Sequence, residues 1–239
     1  MDFGQLFNTL LNSLPNQVWY FVPLFILLPI LRTPWFKGKA GEAMVNLAAK
    51  LFLDKTRYHL IKNVTLPTED GTTQIDHIIV SRYGVFVVET KNMKGWIFGN
   101  AKQRYWTQKI FKHSQKFQNP LHQNYKHLKT LQSLLGLSDE QVFSVVVFVG
   151  DSTFKTPMPE NVTHGGGYVR FIKAQTELRL SDTEVQKVIE AIESGRLAAT
   201  FKNHQKQAAH ADKIEMKKQR QLYGCPPLPQ CSSFFMLIN

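Results

Sequence analysis

Residues 74–92 read QIDHIIVSRYGVFVVETKN. Two runs rich in β-branched and aromatic residues, 75–81 and 84–91, are split by Arg82 and Tyr83, the pattern of two strands joined by a tight turn. If the turn pairs Ser81 with Gly84, counting outward along both strands places Asp76 opposite Glu89; a bulge would move this by one. Glu89 and Lys91 share a face with Val85 and Val87, because side chains alternate with period 2. Three charged groups in strands that otherwise read as core need an explanation, since burying an ion is costly unless it is paired or ligates a metal. Two carboxylates with Cβ atoms about 5 Å apart repel each other. A proton or a divalent cation relieves that repulsion, and oxygen donors of this kind suit Mg²⁺ or Mn²⁺.

The flanking sequence supplies a frame for this hairpin. Val45, Ala48, Ala49 and Phe52 recur at helical spacing within residues 39–54, with Glu42 on the same stripe. Residues 58–66 and 72–81 form a hairpin about Asp70-Gly71, and shorter strands are expected at 95–98 and 104–107. Leu121, Tyr125, Leu128, Leu131 and Leu135 mark a second helix stopped by Gly136. The run VFSVVVFV at 142–149 predicts a strand covered on both faces. Residues 168–172 read as a short strand after three glycines, and 181–194 as a helix opened by a Ser181/Glu184 capping box. The order is helix, three strands, helix, strand, with additions: an α/β chain with a mixed sheet.

The chain has 239 residues, 29 Lys+Arg, 18 Asp+Glu and two Cys. This allows one ordinary domain with appendages and excludes a disulfide scaffold. The net charge of +11 favours an anionic partner, nucleic acid or lipid head groups. Residues 1–31 carry one charged side chain, Asp2, while 32–200 hold 23 basic and 15 acidic groups. The uncharged run 18–31, VWYFVPLFILLPIL, would span only about 21 Å as a helix. Extension back to Asn16 or forward through Phe36 gives the roughly 20 residues that a bilayer needs. Arg32, Lys37 and Lys39 then put the following chain in the cytoplasm. The expected domains are an N-terminal transmembrane helix in 1–36, a catalytic-type domain in 37–200 and a basic tail in 201–239.

GKAGE at 38–42, residues 74–92, the GWIFG and YW elements within 95–106, and NPLHQNYKHLKTL at 119–131 together resemble the nuclease-related domain, NERD. That family is assigned to the PD-(D/E)xK nucleases. The resemblance covers about 37–149 and implies a restriction-endonuclease-like αβββαβ core. It implies Asp76 and Glu89 as metal ligands and Lys91 as the lysine that positions water or stabilises charge. Glu42 would be the first-helix carboxylate assisting the site, and Gln123 an active-site residue on the second helix. The proline of the superfamily's name is absent, since Ile75 precedes Asp76.

Each of these residues also has a structural reading. Asp76 can be an edge carboxylate paired with His77 or Arg82, and Glu89 with Lys91 a surface charge pair. Glu42 can serve the helix dipole, and Gln123 can satisfy backbone groups. His77, His113 and His122 read as structural or solvent-facing. Cys225 and Cys231 are too few for a zinc site by themselves, although YGC at 223–225 resembles the start of a zinc ribbon carried by some relatives.

The expected function is a single-pass, membrane-anchored, Mg²⁺-dependent nuclease acting in the cytoplasm on phosphodiester bonds of DNA or RNA, with DNA processing as the leading role. The alternative is a non-catalytic, membrane-associated nucleic-acid-binding or scaffold protein with the same fold. Lys94, Lys102, Arg104, Lys109, Lys112 and Lys116 form the densest basic run, and Trp96, Tyr105 and Trp106 within it either stack on bases or pack a hairpin against the core.

Overall fold

The computed structural model describes residues 4–5, 21–68 and 71–195. In chain order the elements are α1 (Val22–Arg32), α2 (Pro34–Phe52), β1 (Tyr58–Thr68), β2 (Gly71–Ser81), β3 (Gly84–Asn92), β4 (Gly95–Phe98), β5 (Tyr105–Ile110), β6 (His113–Gln118), α3 (Pro120–Leu135), β7 (Val142–Val149), β8 (Ser152–Phe154), β9 (Val162–His164), α4 (Gly167–Ala174) and α5 (Asp182–Gly195). The helix, three-strand, helix, strand order is present, with β4–β6 inserted before α3. Residues 1–3 and 6–20 of the expected anchor, Asp70 of the first hairpin turn, residues 196–200 of the expected main domain, and the tail at 201–239 with its two cysteines lie outside the described residues.

Two compact units are formed. The first takes the chain through Arg57, then Glu89–His122 and Val145–Thr176; the second takes Tyr58–Val88, Gln123–Ser144 and the chain from Glu177. In the second unit the strand order is β1-β2-β3-β7. β1 and β2 pair antiparallel from Tyr58↔Ser81 to Thr68↔Gly71, and β2 pairs with β3 from Ser81↔Gly84 to His77↔Val88. The tight turn is observed, with the expected register as far as His77↔Val88. Leu128 and Leu131 of α3 and Val185, Val188 and Ile192 of α5 cover this sheet, packing with Val64, Ile78, Val80, Val85 and Val87. Burying such a set of branched aliphatics is the main source of stability here, at about 25 cal/mol per Å² of apolar surface. The capping box at the head of α5 forms as expected: Glu184 accepts from the Ser181 amide at 2.7 Å, and the Glu184 amide donates to Ser181 Oγ at 3.3 Å.

In the first unit β3 neighbours β7, which pairs in parallel with β9 from Val146↔Val162 to Phe148↔His164. A separate four-stranded sheet has the order β6-β5-β4-β8, with β4 parallel to β8 and antiparallel to β5. Its buried side contributes Ile97 and Trp106, which pack against Val146 and Phe148. Trp106 stacks on Phe148 at 6.1 Å and donates its indole N–H to Asn100 O at 2.9 Å.

Three sequence expectations are corrected, and for Trp106 the choice left open between stacking on bases and packing the core is decided. Residues 168–172 lie in helix α4, because Tyr168, Val169 and Ile172 form its single buried face and the Tyr168 hydroxyl donates to Val45 O of α2 at 2.6 Å. Trp106 is fully buried and is unavailable to bases. Tyr125 is 57 % exposed and leaves the buried stripe of α3 to Asn124 and Leu128. In its described part, from Phe21, the apolar run does not continue as one helix through Phe36. α1 has eleven residues and ends where Thr33 turns extended at ψ 145°, and Thr33 Oγ1 then accepts from Phe36 N to cap α2. Among the described residues no helix is long and apolar enough to cross a membrane.

Candidate active site

β3 delivers Glu89 and Lys91 at its carboxyl end. Alternation puts both on one side, and Lys91 Nζ meets Glu89 Oε1 at 2.6 Å. Glu89 is only 3 % exposed, and Lys91 is half-buried. The surface-pair reading is therefore wrong: a carboxylate this deep gives up its hydration, and the ammonium repays it with a charge-assisted hydrogen bond.

Helix α2 reaches the same strand end. At Gly41 any Cβ would stand 2.9 Å from Asn92 Cβ and 3.0 Å from Val149 Cγ2, so only glycine allows the helix this close. Asn92 Nδ2 also donates to Lys37 O at 2.6 Å, tying β3 to the first turns of α2. Glu42 follows Gly41. It is half-buried and accepts from Lys39 Nζ at 2.9 and 3.2 Å, so its carboxylate is held by a lysine one turn back. Asn92 and Gly41 were not singled out from the sequence. Nothing in an asparagine at a strand end marks it as a helix anchor.

Asp76 and Gln123 belong to the second unit. Asp76 is half-buried between the fully buried Ile75 and His77. The β1–β2 ladder pairs Lys62 with His77 and Val64 with Ile75 and skips the position between, where Asn63 stands on β1 and Asp76 on β2. Asn63 has φ 51°, a left-handed conformation that asparagine tolerates better than most residues. The backbone thus leaves regular pairing at the candidate carboxylate. The β2–β3 pairs run from Ser81↔Gly84 only as far as His77↔Val88, so the expected pairing of Asp76 with Glu89 is not part of that ladder. Arg82, one alternative partner for Asp76, pairs instead with Asp182 at 3.4 Å.

Gln123 is half-buried in the first turn of α3. Its neighbour Asn124 is fully buried and donates to Val87 O at 2.8 Å and Ser144 Oγ at 2.9 Å, which pins the helix to the sheet. Asn124 was not singled out from the sequence, although its place on the Leu121, Leu128, Leu131 stripe, where a polar residue needs a partner, is a signal that could have found it. Asn119 caps α3 by accepting from Leu121 N at 2.9 Å, and its side-chain amide also donates to Gln103 O at 2.7 Å. His77 is buried, and exposed His122 contacts Ala101 O at 3.0 Å, in line with structural roles.

A divalent cation is implied by the resemblance, and the donors fit one that demands few protein ligands. Mg²⁺ takes one or two carboxylates, keeps several waters and accepts phosphate oxygens, and Glu89 is a buried carboxylate of that kind. Among the described residues no three His, Cys, Asp or Glu gather into a group that could hold a metal alone, so an all-protein cage is not built there.

The sequence model of the nuclease-related domain matches residues 37–149, the span containing α2, the hairpin, β3 and α3. An uncharacterized protein of Bacillus anthracis is 41 % identical over 167 residues, which is 66 % of this chain and 76 % of that protein.

Proposed function

The chain belongs to the nuclease-related domain family, and from that premise we propose that it is a metal-dependent nuclease hydrolysing phosphodiester bonds, with DNA as its leading substrate. The observation that carries the reading is the buried Glu89 joined to Lys91 on a core strand inside the matched segment. A structural role alone gives little return for such a pair, because an apolar pair of the same volume is usually at least as stable.

In this reading Asp76 and Glu89 hold Mg²⁺ or Mn²⁺, which when bound offsets phosphate charge and makes a coordinated water more acidic. Lys91 keeps an ammonium beside the reacting phosphate, orienting the water and stabilising charge as it develops. Glu42 assists by fixing Lys39 and water near the strand end, and Gln123 orients groups at the head of α3. In the net reaction a water oxygen bonds to phosphorus and the bond from phosphorus to the leaving sugar oxygen breaks. The water gives up a proton to solvent, and the leaving oxygen takes one.

The finer fold assignment, a restriction-endonuclease-like core, is part of this proposal and is supported by the element order. So is membrane association. Phe25 of α1 is 72 % exposed and Trp35 at the head of α2 is 68 % exposed, next to Arg32, Lys37 and Lys39, a composition suited to a cytoplasmic-side lipid interface. Flotation with anionic vesicles tests this, and a chain that stays at the bottom of the gradient rules it out.

The nuclease assay uses the full chain with labelled single-stranded, double-stranded and branched DNA and with RNA, in Mg²⁺, Mn²⁺ or chelator. Cleavage should require the metal and fall by about a hundredfold or more in Asp76→Asn and Glu89→Gln. Equal cleavage by those variants would refute the site.

A further inference from the structure

The β6-β5-β4-β8 sheet has one face in the core and one in solvent, and the solvent face has an unusual composition. Pairing puts Trp96 opposite Lys109 and Phe98 opposite Thr107, while Thr107 faces Lys116, so alternation aligns Trp96, Lys109, Thr107, Tyr105 and Lys116 on one side. Ile97 and Trp106 take the other side and are fully buried. Trp96 is 48 % exposed and Tyr105 41 % exposed, although neither is needed to fill the core.

Both rings are accompanied by cations. Lys155 Nζ stands 4.7 Å and Lys109 Nζ 6.0 Å from the Trp96 ring centre, and the Arg104 guanidinium lies 5.5 Å from that of Tyr105. Each ring borders its own cleft. One, of about 420 Å³, is lined by Trp96, Lys109, Phe111 and Asp151 among others; the second, of about 710 Å³, by Arg104, Tyr105 and Lys116. Phe111, at the tip of the β5–β6 hairpin, is 93 % exposed with φ 51°. The hairpin thus carries a bare aromatic ring at the rim of the first cleft.

We propose that this face is a stacking platform for an unpaired nucleic-acid strand, bases lying on Trp96 and Tyr105 and phosphates meeting Lys109, Lys155 and Arg104. A base laid on an exposed ring displaces an ammonium from it, and that ammonium is then free to meet the adjoining phosphate. Flat rings beside cations serve single strands, whose bases are open, better than duplexes, whose bases are already stacked. Charge selects the same partner: five cations, Lys94, Arg104, Lys109, Lys116 and Lys155, border the clefts and face against one carboxylate, Asp151. Gly95, which opens β4, is four residues beyond Lys91, so a short connection joins the end of β3 to the platform. The proposal names the substrate form for the nuclease read above and rests on that reading for its cleavage.

The test is fluorescence anisotropy of the full chain with labelled oligothymidylate, oligouridylate and a duplex of equal length, in chelator so that no cleavage occurs. Single strands should bind, quench tryptophan emission and lose affinity as salt rises. Trp96→Ala and Tyr105→Ala should each weaken binding about tenfold, Trp96→Phe much less, and Lys155→Glu should weaken it without removing a ring. Duplex bound as tightly as single strand overturns the proposal. So does unchanged affinity in the Trp96→Ala, Tyr105→Ala double variant at unchanged melting temperature. With Mg²⁺ restored, cleavage by a double variant that binds normally ends the platform and leaves the nuclease standing. Ring-dependent binding by a chain that cleaves nothing supports the platform and ends the nuclease.

Discussion

The Lys91–Glu89 pair at the end of β3 and the Lys129–Asp139 pair, made between α3 and the loop after it, have similar lengths, 2.6 and 2.8 Å, and opposite surroundings. The Glu89 side chain is 4 % exposed, whereas that of Asp139 is 82 % exposed. In the exposed pair the Lys129 hydrogen bond holds the Asp139 carboxyl below its usual range, and Asp139 in turn holds Lys129 above its own. Water competes for both partners, so such a pair adds little to stability. In the buried pair the carboxylate has lost most of its water and depends on the protein. Distance alone does not separate the two pairs, but burial on a core strand does.

The sharpest way to break this contrast is through turnover. Glu89→Gln keeps the shape and removes the charge, and should lower metal-dependent cleavage by about 10²–10⁴-fold in a gel assay. A second test sets the tryptophans of the first unit against each other. Trp106→Ala should cost roughly 3–5 kcal/mol in urea denaturation, while Trp96→Ala stays within about 0.5 kcal/mol because its ring is half in solvent. Third, Lys91→Met strands a buried carboxylate and should cost about 3 kcal/mol, with the Glu89→Leu, Lys91→Met double variant recovering most of it. Lys129→Met should leave the melting temperature unchanged.

The smallest effect is one of pH. Because Asp139 is lowered, whatever its pair contributes is present above the ordinary carboxylate range near 4 and is lost as pH falls through the folded value. Because Lys129 is raised, the contribution is also lost as pH rises past about 10. Any difference in melting temperature between wild type and Asp139→Asn should therefore be flat between those limits and vanish only once pH has fallen through the lowered, folded value of Asp139.

What was legible in the sequence was what local rules determine. The Ser81–Gly84 turn set the register of β2 and β3, Gly136 stopped α3, and Ser181 with Glu184 opened α5. Glu89 and Lys91 stood out because ions in an apolar strand violate the pattern. What was missed depends on partners distant in sequence. Residues 168–172 have the β-branched and aromatic residues of a strand, yet become α4 because one face with Tyr168 packs on α2. β6 is polar and almost wholly exposed, with Phe117 its one half-buried residue, and pairing with β5 alone makes it a strand. Trp96 and Trp106 look alike in composition, and only their parity on paired strands separates solvent from core. The tie of Asn92 to Lys37 joins residues 55 positions apart, beyond any local pattern.

The most direct test compares the rate of phosphodiester cleavage by Lys91→Ala and Lys129→Ala, measured together with Mg²⁺ at neutral pH on the same labelled single strand. The account predicts a loss of at least about a hundredfold in Lys91→Ala and wild-type turnover in Lys129→Ala. Equal rates in the two variants, with both chains folded, would contradict it.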